Sequence, residues 1–199
     1  MIVVLYGHSG VGKSYIANIL TSNTPDISRV KTLTTRPKRD GESDSEYHFT
    51  DIHYFKDNES ELIGRRAFTA VDERTAYTRI NHYAIDKNSI DITKKQVIIT
   101  DLVGFYDLQQ HFGVENVVAI YMRAPKDFIQ NRASKRNGYN KDSWEKRYNE
   151  DSKFVNDKMF DRLAIGDLFV NGQKMYLLDV DSTSVSEQID FIKEVFTSK

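Results

Sequence analysis

Apolar residues gather in short, unbroken runs bounded by turn residues at Ile2–Tyr6, Val97–Thr100, Val117–Met122 and Met175–Leu178. Runs of this length without polar alternation fit strands covered on both faces. Between them the spacing becomes helical, over Lys13–Leu20, Leu102–Phe112, Lys126–Lys135, a long segment Lys141–Leu163, and Ser184–Phe196. In the long segment Trp144, Tyr148, Val155, Met159 and Leu163 recur at steps of four or seven, which puts them on one helical face. Strand alternating with helix predicts an α/β fold of three layers, a parallel sheet with helices on both sides.

That rhythm breaks between about Arg36 and Asp86. "EYHFTD", "RRAFTAVD" and "RTAYTRINHYAID" are rich in aromatic and β-branched residues and alternate only in part. They predict a small β-rich lobe inserted between the first and second helices of the core. "SKRNGYNKDS" is a polar Asn-Gly turn between two helices, which sets off a helical lid. The expected division is therefore one domain, with a core over about 1–35, 87–125 and 164–199, a lobe over 36–86 and a lid over 126–163. Such a fold can close on a ligand.

Composition narrows the chemistry. The 199 residues contain no cysteine, so a disulfide framework, a thiolate zinc site and a thiol nucleophile are excluded. No apolar run approaches the ~20 residues of a membrane span, and the start lacks the basic region of a secretory signal. A cytoplasmic protein is the expectation. The net charge is −1, so affinity for anions has to come from local clusters. "SRVKTLTTRPKR" and "RAPKDFIQNRASKR" are such clusters.

The strand at Ile2–Tyr6 runs straight into "GHSGVGKS", which satisfies G-x-x-x-x-G-K-[ST] with Gly7, Gly12, Lys13 and Ser14. Glycines allow a turn tight enough to aim successive backbone N–H groups at phosphate oxygens. The helix that follows offers its unpaired N–H groups and the positive end of its dipole to the same anion. Lys13 would bridge the outer phosphates and the Ser14 hydroxyl would join a Mg²⁺ shell. A nucleoside triphosphate with Mg²⁺ follows, without a choice among the enzyme classes that share this loop.

A second anion site reads from "TLTTRPKRDGESDSEYHF". Arg36 and Arg39 flank a proline that keeps the chain extended, with Thr32, Thr34 and Thr35 before them and Glu42 and Tyr47 after. Guanidinium forks suit a phosphate monoester. Asp101 ends the apolar run "QVIIT", where a carboxylate serves either as a metal or ligand group or as a helix N-cap.

These two motifs, in this order and at this separation, resemble those of guanylate kinases, whose pattern runs S-x-x-T-T-R-x-x-R-x-G-E and then D-Y-x-F. The resemblance implies a nucleoside monophosphate kinase with a P-loop NTPase core. Gly7, Ser9, Gly10, Val11, Gly12, Lys13, Ser14 and Tyr15 would then hold ATP. Arg36, Arg39, Tyr47 and Tyr83 would grip the acceptor phosphate. Thr32 stands at a base-contacting serine, and Glu42 and Asp101 at acidic residues near the acceptor nucleoside. The lid is similar too, which makes Arg132, Arg136 and Arg147, with Lys13, the catalytic cations. Ser14 and Asp101 are the expected metal ligands.

Several positions depart from the family pattern. Ile99 replaces the earlier of two acidic residues. "RRAFTAVD" has Arg65 and Arg66, and only later Asp72 and Glu73, where a glutamate reads guanine. Ala84 and Ile85 follow Tyr83, and "YLLDVDSTS" replaces an Asn-Asp pair near the last strand. The acceptor is therefore open between GMP or dGMP and another (deoxy)nucleoside monophosphate. A non-catalytic guanylate-kinase-like binding module is disfavoured by Lys13 and the lid arginines. Nucleic-acid binding is disfavoured by the near-neutral charge. His8 and His82 are expected to have no catalytic part.

Overall fold

A computed structural model describes residues 1–38, 42, 44–71, 77–135, 139–154, 167–170 and 173–198. The first strand, β1 (Ile2–Tyr6), is buried along its whole length. Its alternating side chains separate two cores. Val3 and Leu5 face Ile16, Ala17 and Leu20 of α1 (Lys13–Asn23) together with Ile189, Ile192 and Val195 of α6 (Val185–Thr197). Ile2, Val4 and Tyr6 face Phe105 and Leu108 of α3 (Leu102–Phe112) on the other side. Each such side chain taken out of water contributes about 1.5–3 kcal/mol.

The sheet that carries these cores has six strands in the order β2-β7-β1-β8-β10-β9. β2 (Ile27–Arg29), β7 (Lys95–Ile99), β1, β8 (Val117–Arg123) and β10 (Gln173–Asp179) are parallel, and β9 (Asp167–Val170) pairs antiparallel to β10 at the edge. This is the three-layer α/β fold that the alternation predicts. β7 starts two residues before its apolar run, because its parallel register with β1 already holds at Ile2–Gln96. β2 is a three-residue edge strand that pattern reading does not register.

A second sheet, ordered β4-β3-β6-β5, stands over one end of the first. It comprises β3 (Thr32–Thr34), β4 (Tyr47–Phe49), β5 (Leu62–Val71) and β6 (Thr78–Asp86). The helix α2 (Ile52–Asp57) is started by Asp51, whose side chain accepts the Tyr54 N–H, and closes a small core of Leu33, Phe55, Leu62 and Ala84. The sheet begins four residues ahead of the expected lobe boundary. Leu33 and Thr34 pair with Ala84 and Tyr83 of β6, so these residues belong with the second sheet rather than with the core. Asp107 of α3 seats the lobe by accepting the Gly64 N–H at 3.0 Å.

The region expected to form a lid contains α4 (Lys126–Ser134) and α5 (Lys141–Phe154). Of the segment expected to be helical as far as Leu163, the residues Val155, Met159 and Leu163 lie outside the described ones. Trp144 and Tyr148 are partly buried against the first core.

Candidate active site

The cleft between the two sheets and α5 has a volume of about 1150 Å³. A pocket for one small molecule spans roughly 300–1,000 Å³, so the space suits more than one ligand. On its floor, residues 7–12 turn sharply from β1 into α1. Gly7 has φ +145°, and a Cβ there would lie 2.2 Å from the Met122 carbonyl oxygen, so no side chain fits. Gly12 caps α1 at φ 119° and gives no side-chain bond to the first turn. The N-terminus of a helix is a place that can receive an anion.

Side chains crowd this loop. Lys13 Nζ donates to the carbonyls of Gly7 at 2.7 Å and His8 at 2.9 Å, which curls it over the loop. Arg132 of α4 donates to the Val11 carbonyl at 3.2 Å, with its guanidinium beside Gly12. The Ser14 hydroxyl donates to Glu46 Oε2 at 2.9 Å. The Ser9 N–H donates to Asp151 Oδ2 of α5 at 2.7 Å. Tyr15 is 53% exposed and borders the cleft beside Ser9 and Gly10.

The opposite wall belongs to the second sheet. Arg36 is buried and forked onto Glu42, with Nη2···Oε1 at 2.6 Å and Nη1···Oε2 at 3.0 Å. It also donates to the Pro37 carbonyl at 2.8 Å, and its guanidinium lies 5.2 Å from the Tyr47 ring centre and 5.5 Å from that of Phe49. Tyr47 is in register with Thr32 across β3 and β4, and its ring lies 6.3 Å from Tyr83. Burial, with Tyr83 and Glu46 adding to it, pushes the Tyr47 phenol up, against the charges of Arg36 and Arg147. At neutral pH Tyr47 therefore keeps its proton and serves as a donor. Thr32, Arg36, Glu42, Tyr47 and Tyr83 all line this cleft, and so does the exposed Arg147 of α5.

Asp101 takes the cap part of its two foreseen ones and also lines the cleft. One oxygen caps α3 by accepting the Gly104 N–H at 3.0 Å. The other receives Arg66 Nε at 2.8 Å, and the Arg66 guanidinium lies 5.6 Å from the Phe68 ring. Arg66, Glu46 and Asp151 line the cleft without having been among the expected site residues, and His8, expected to have no catalytic part, meets Tyr148 and Ser152 of α5. Glu46 sits inside the second phosphate motif and Arg66 in the strand that departs from it, so both were within view of the pattern. Asp151 had no motif to mark it. Arg39 and Arg136 lie outside the described residues.

No family model matches this chain. The guanylate kinase of Zymomonas mobilis subsp. mobilis (strain ATCC 31821 / ZM4 / CP4) is 42% identical over 57 residues, or 28% of this chain and 26% of that protein. The chain thus matches about a quarter of the length of its curated relative. The crystal structure of guanylate kinase from Anaplasma phagocytophilum superposes with a TM-score of 0.64 at 17% identity, covering 100% of this chain and 85% of that one. An uncharacterized protein from Eubacterium ventriosum superposes with a TM-score of 0.50 at 13% identity, covering 100% and 99%. The sequence likeness is local, and the structural likeness shows a shared fold.

Proposed function

For a chain with the fold of guanylate kinases, we propose transfer of the terminal phosphate of ATP to GMP or dGMP, giving ADP and the corresponding diphosphate. One observation carries this reading. The loop at residues 7–14 and the Arg36–Tyr47–Tyr83 cluster face a single cleft, which Arg147 of the lid also borders. In the reaction an acceptor phosphate oxygen attacks the terminal phosphorus, and the bond to the bridging oxygen of ADP breaks.

Charge is the obstacle. Two unit charges ~4 Å apart repel by about 4 kcal/mol at an effective dielectric near 20. In this reading Lys13 and Arg132 serve the triphosphate and Arg36 the acceptor, and Arg147 borders the same cleft. Fixed cations of this kind stabilise charge as it moves between phosphates. No covalent nucleophile is required, because positioning and charge suffice.

Mg²⁺ fits the oxygens present. This ion is commonly held by one or two protein oxygens together with substrate phosphates. Ser14 would hold it, and of the two nearby carboxylates Glu46 already meets the Ser14 hydroxyl, whereas Asp101 is engaged by Arg66 and α3. When bound, the ion would offset phosphate charge. Among the described residues no helix is long and apolar enough to cross a membrane, and we place the activity in the cytoplasm.

ADP production measured with ATP across a panel of ribo- and deoxynucleoside monophosphates, with Lys13→Ala as control, tests the proposal. A rate that rises only with GMP or dGMP and vanishes in the control is expected. A rate indifferent to acceptor would make the protein a simple ATPase and refute it.

A further inference from the structure

The lid helix does not merely lie near the phosphate loop. Two adjacent stripes of α5 grip it. On one stripe, Tyr148 stacks its ring on His8 at 4.5 Å and 14°, and Ser152 Oγ lies 3.0 Å from His8 Nε2. The Ser152 hydroxyl spends its single proton on the Tyr148 carbonyl at 2.8 Å. It must therefore accept from His8, which places the imidazole proton on Nε2. On the neighbouring stripe, Asp151 Oδ2 accepts the Ser9 N–H at 2.7 Å. Lys126 supports Tyr148 from α4, its ammonium 5.3 Å from the ring centre. His8 is 2% exposed, so this is a buried contact rather than a surface encounter.

Arg147 stands four residues before Asp151. Residues at this spacing are neighbours on one helical face, one turn or about 5.4 Å apart. The bond from Asp151 to Ser9 therefore sets how far along the cleft Arg147 stands, and the stack on His8 sets the rotation of the helix about its axis. We propose that His8 and Asp151 are positioning residues for phosphoryl transfer: they fasten α5 to the phosphate loop and thereby hold Arg147 over the cleft. This rests on the transfer reading above, with Arg147 as the group that touches the moving phosphate.

The single tryptophan of the chain provides a direct reporter. Trp144 lies on α5, partly buried, with its ring 5.3 Å from that of Tyr148. The test uses His8→Ala, Asp151→Ala, the conservative His8→Phe and Asp151→Asn, and each alanine variant combined with Arg147→Ala. Emission and acrylamide quenching of Trp144 are read beside kcat and KM for ATP and acceptor.

In the alanine variants Trp144 should shift to the red and quench more readily. Their kcat should fall about 10- to 100-fold, the scale of a displacement near 1 Å, with KM for ATP little changed. Asp151→Asn, which keeps an acceptor oxygen for Ser9, should regain most of the rate, and His8→Phe, which keeps the stack, should hold Trp144 in place. Added to Arg147→Ala, neither alanine change should cost much more, because residues acting through one group are not additive. Unchanged Trp144 emission overturns the proposal, and so does an unchanged kcat or a multiplicative loss in the double variants. Should one alanine variant fail to fold, the other bears the same test, because both contacts are proposed to hold the same helix. Should the wild-type protein move no phosphate to any monophosphate, the function reading falls, and Trp144 still decides whether the clasp exists.

Discussion

Arg36 offers a test in which stability and catalysis are expected to separate. Its side chain is 7% exposed and that of Glu42 13%, and the two share a bidentate bond with a shortest distance of 2.6 Å. Arg36→Met removes one charge and leaves the other enclosed. Breaking a buried pair from one side costs about 3–5 kcal/mol. The pair borders an open cleft, so the lower end applies, and about 3 kcal/mol corresponds to a fall of roughly 6–12 °C in Tm for a chain of this size. Neutralising the enclosed carboxylate with Arg36→Met/Glu42→Gln should restore at least half of that loss, because a buried amide costs far less than a buried carboxylate.

Catalysis should not follow. A charge-assisted bond from Arg36 to the acceptor phosphate is worth about 1.5–3 kcal/mol, so KM for the acceptor should rise about 10- to 150-fold in the single variant. The rise should persist in the double variant, since the introduced amide supplies no cation. Thermal unfolding followed by far-UV dichroism gives the first quantity, and coupled ADP production at varied acceptor gives the second. A double variant as unstable as the single one would show that the enclosed carboxylate was not the cause. Recovery of KM in the double variant would remove Arg36 from the acceptor site.

Other outcomes are simpler to state. Gly7→Ala should lose about 3 kcal/mol or more in urea denaturation, because its Cβ would lie 2.2 Å from the Met122 carbonyl oxygen at a φ of +145°; near-normal stability would mean the loop relaxes freely. Ser184→Ala breaks the capping box with Glu187 at the start of α6 and should cost about 1 kcal/mol, or 2–4 °C in Tm. The Thr93 hydroxyl, aided by Lys94, holds the Asp91 carboxyl down to about 2 against an ordinary 3.8. Its contribution to stability is therefore complete above the ordinary value and is lost as pH falls through about 2. A carboxyl NMR titration should find that low midpoint, and Thr93→Val should move it upward.

How much of this was legible in the sequence depends on how far each signal reaches along the chain. The strand Ile2–Tyr6, the loop and α1 form one continuous stretch whose apolar run and glycines act locally, and its starts could be read directly, while α1 runs three residues past the expected end at Leu20. Leu102–Phe112 was legible for the same reason, with Asp101 as its cap. β2 escaped because its three residues owe their extended form to β7, 66 or more positions away in the chain, and not to any pattern of their own. α2 escaped because aromatic residues dominate a six-residue helix that Asp51 starts and the small core holds in place.

The site divides along the same line. Residues whose chemistry belongs to a contiguous motif, such as Lys13, Ser14, Arg36 and Tyr47, announce themselves by type and spacing. Glu46 does not, because its partner Ser14 is 32 positions earlier, and only the seating of the lobe brings them to 2.9 Å. His8 is the extreme case. Inside the glycine loop it reads as a tolerated variable position, and what gives it work is Tyr148 and Ser152, the latter 144 residues on. A motif specifies the groups that touch phosphate, since those share one backbone turn. The side chains that fasten separate lobes around the phosphates become visible only once the chain has closed, and in this protein they meet on the same loop from two directions, Glu46 from the inserted sheet and Asp151 from the lid.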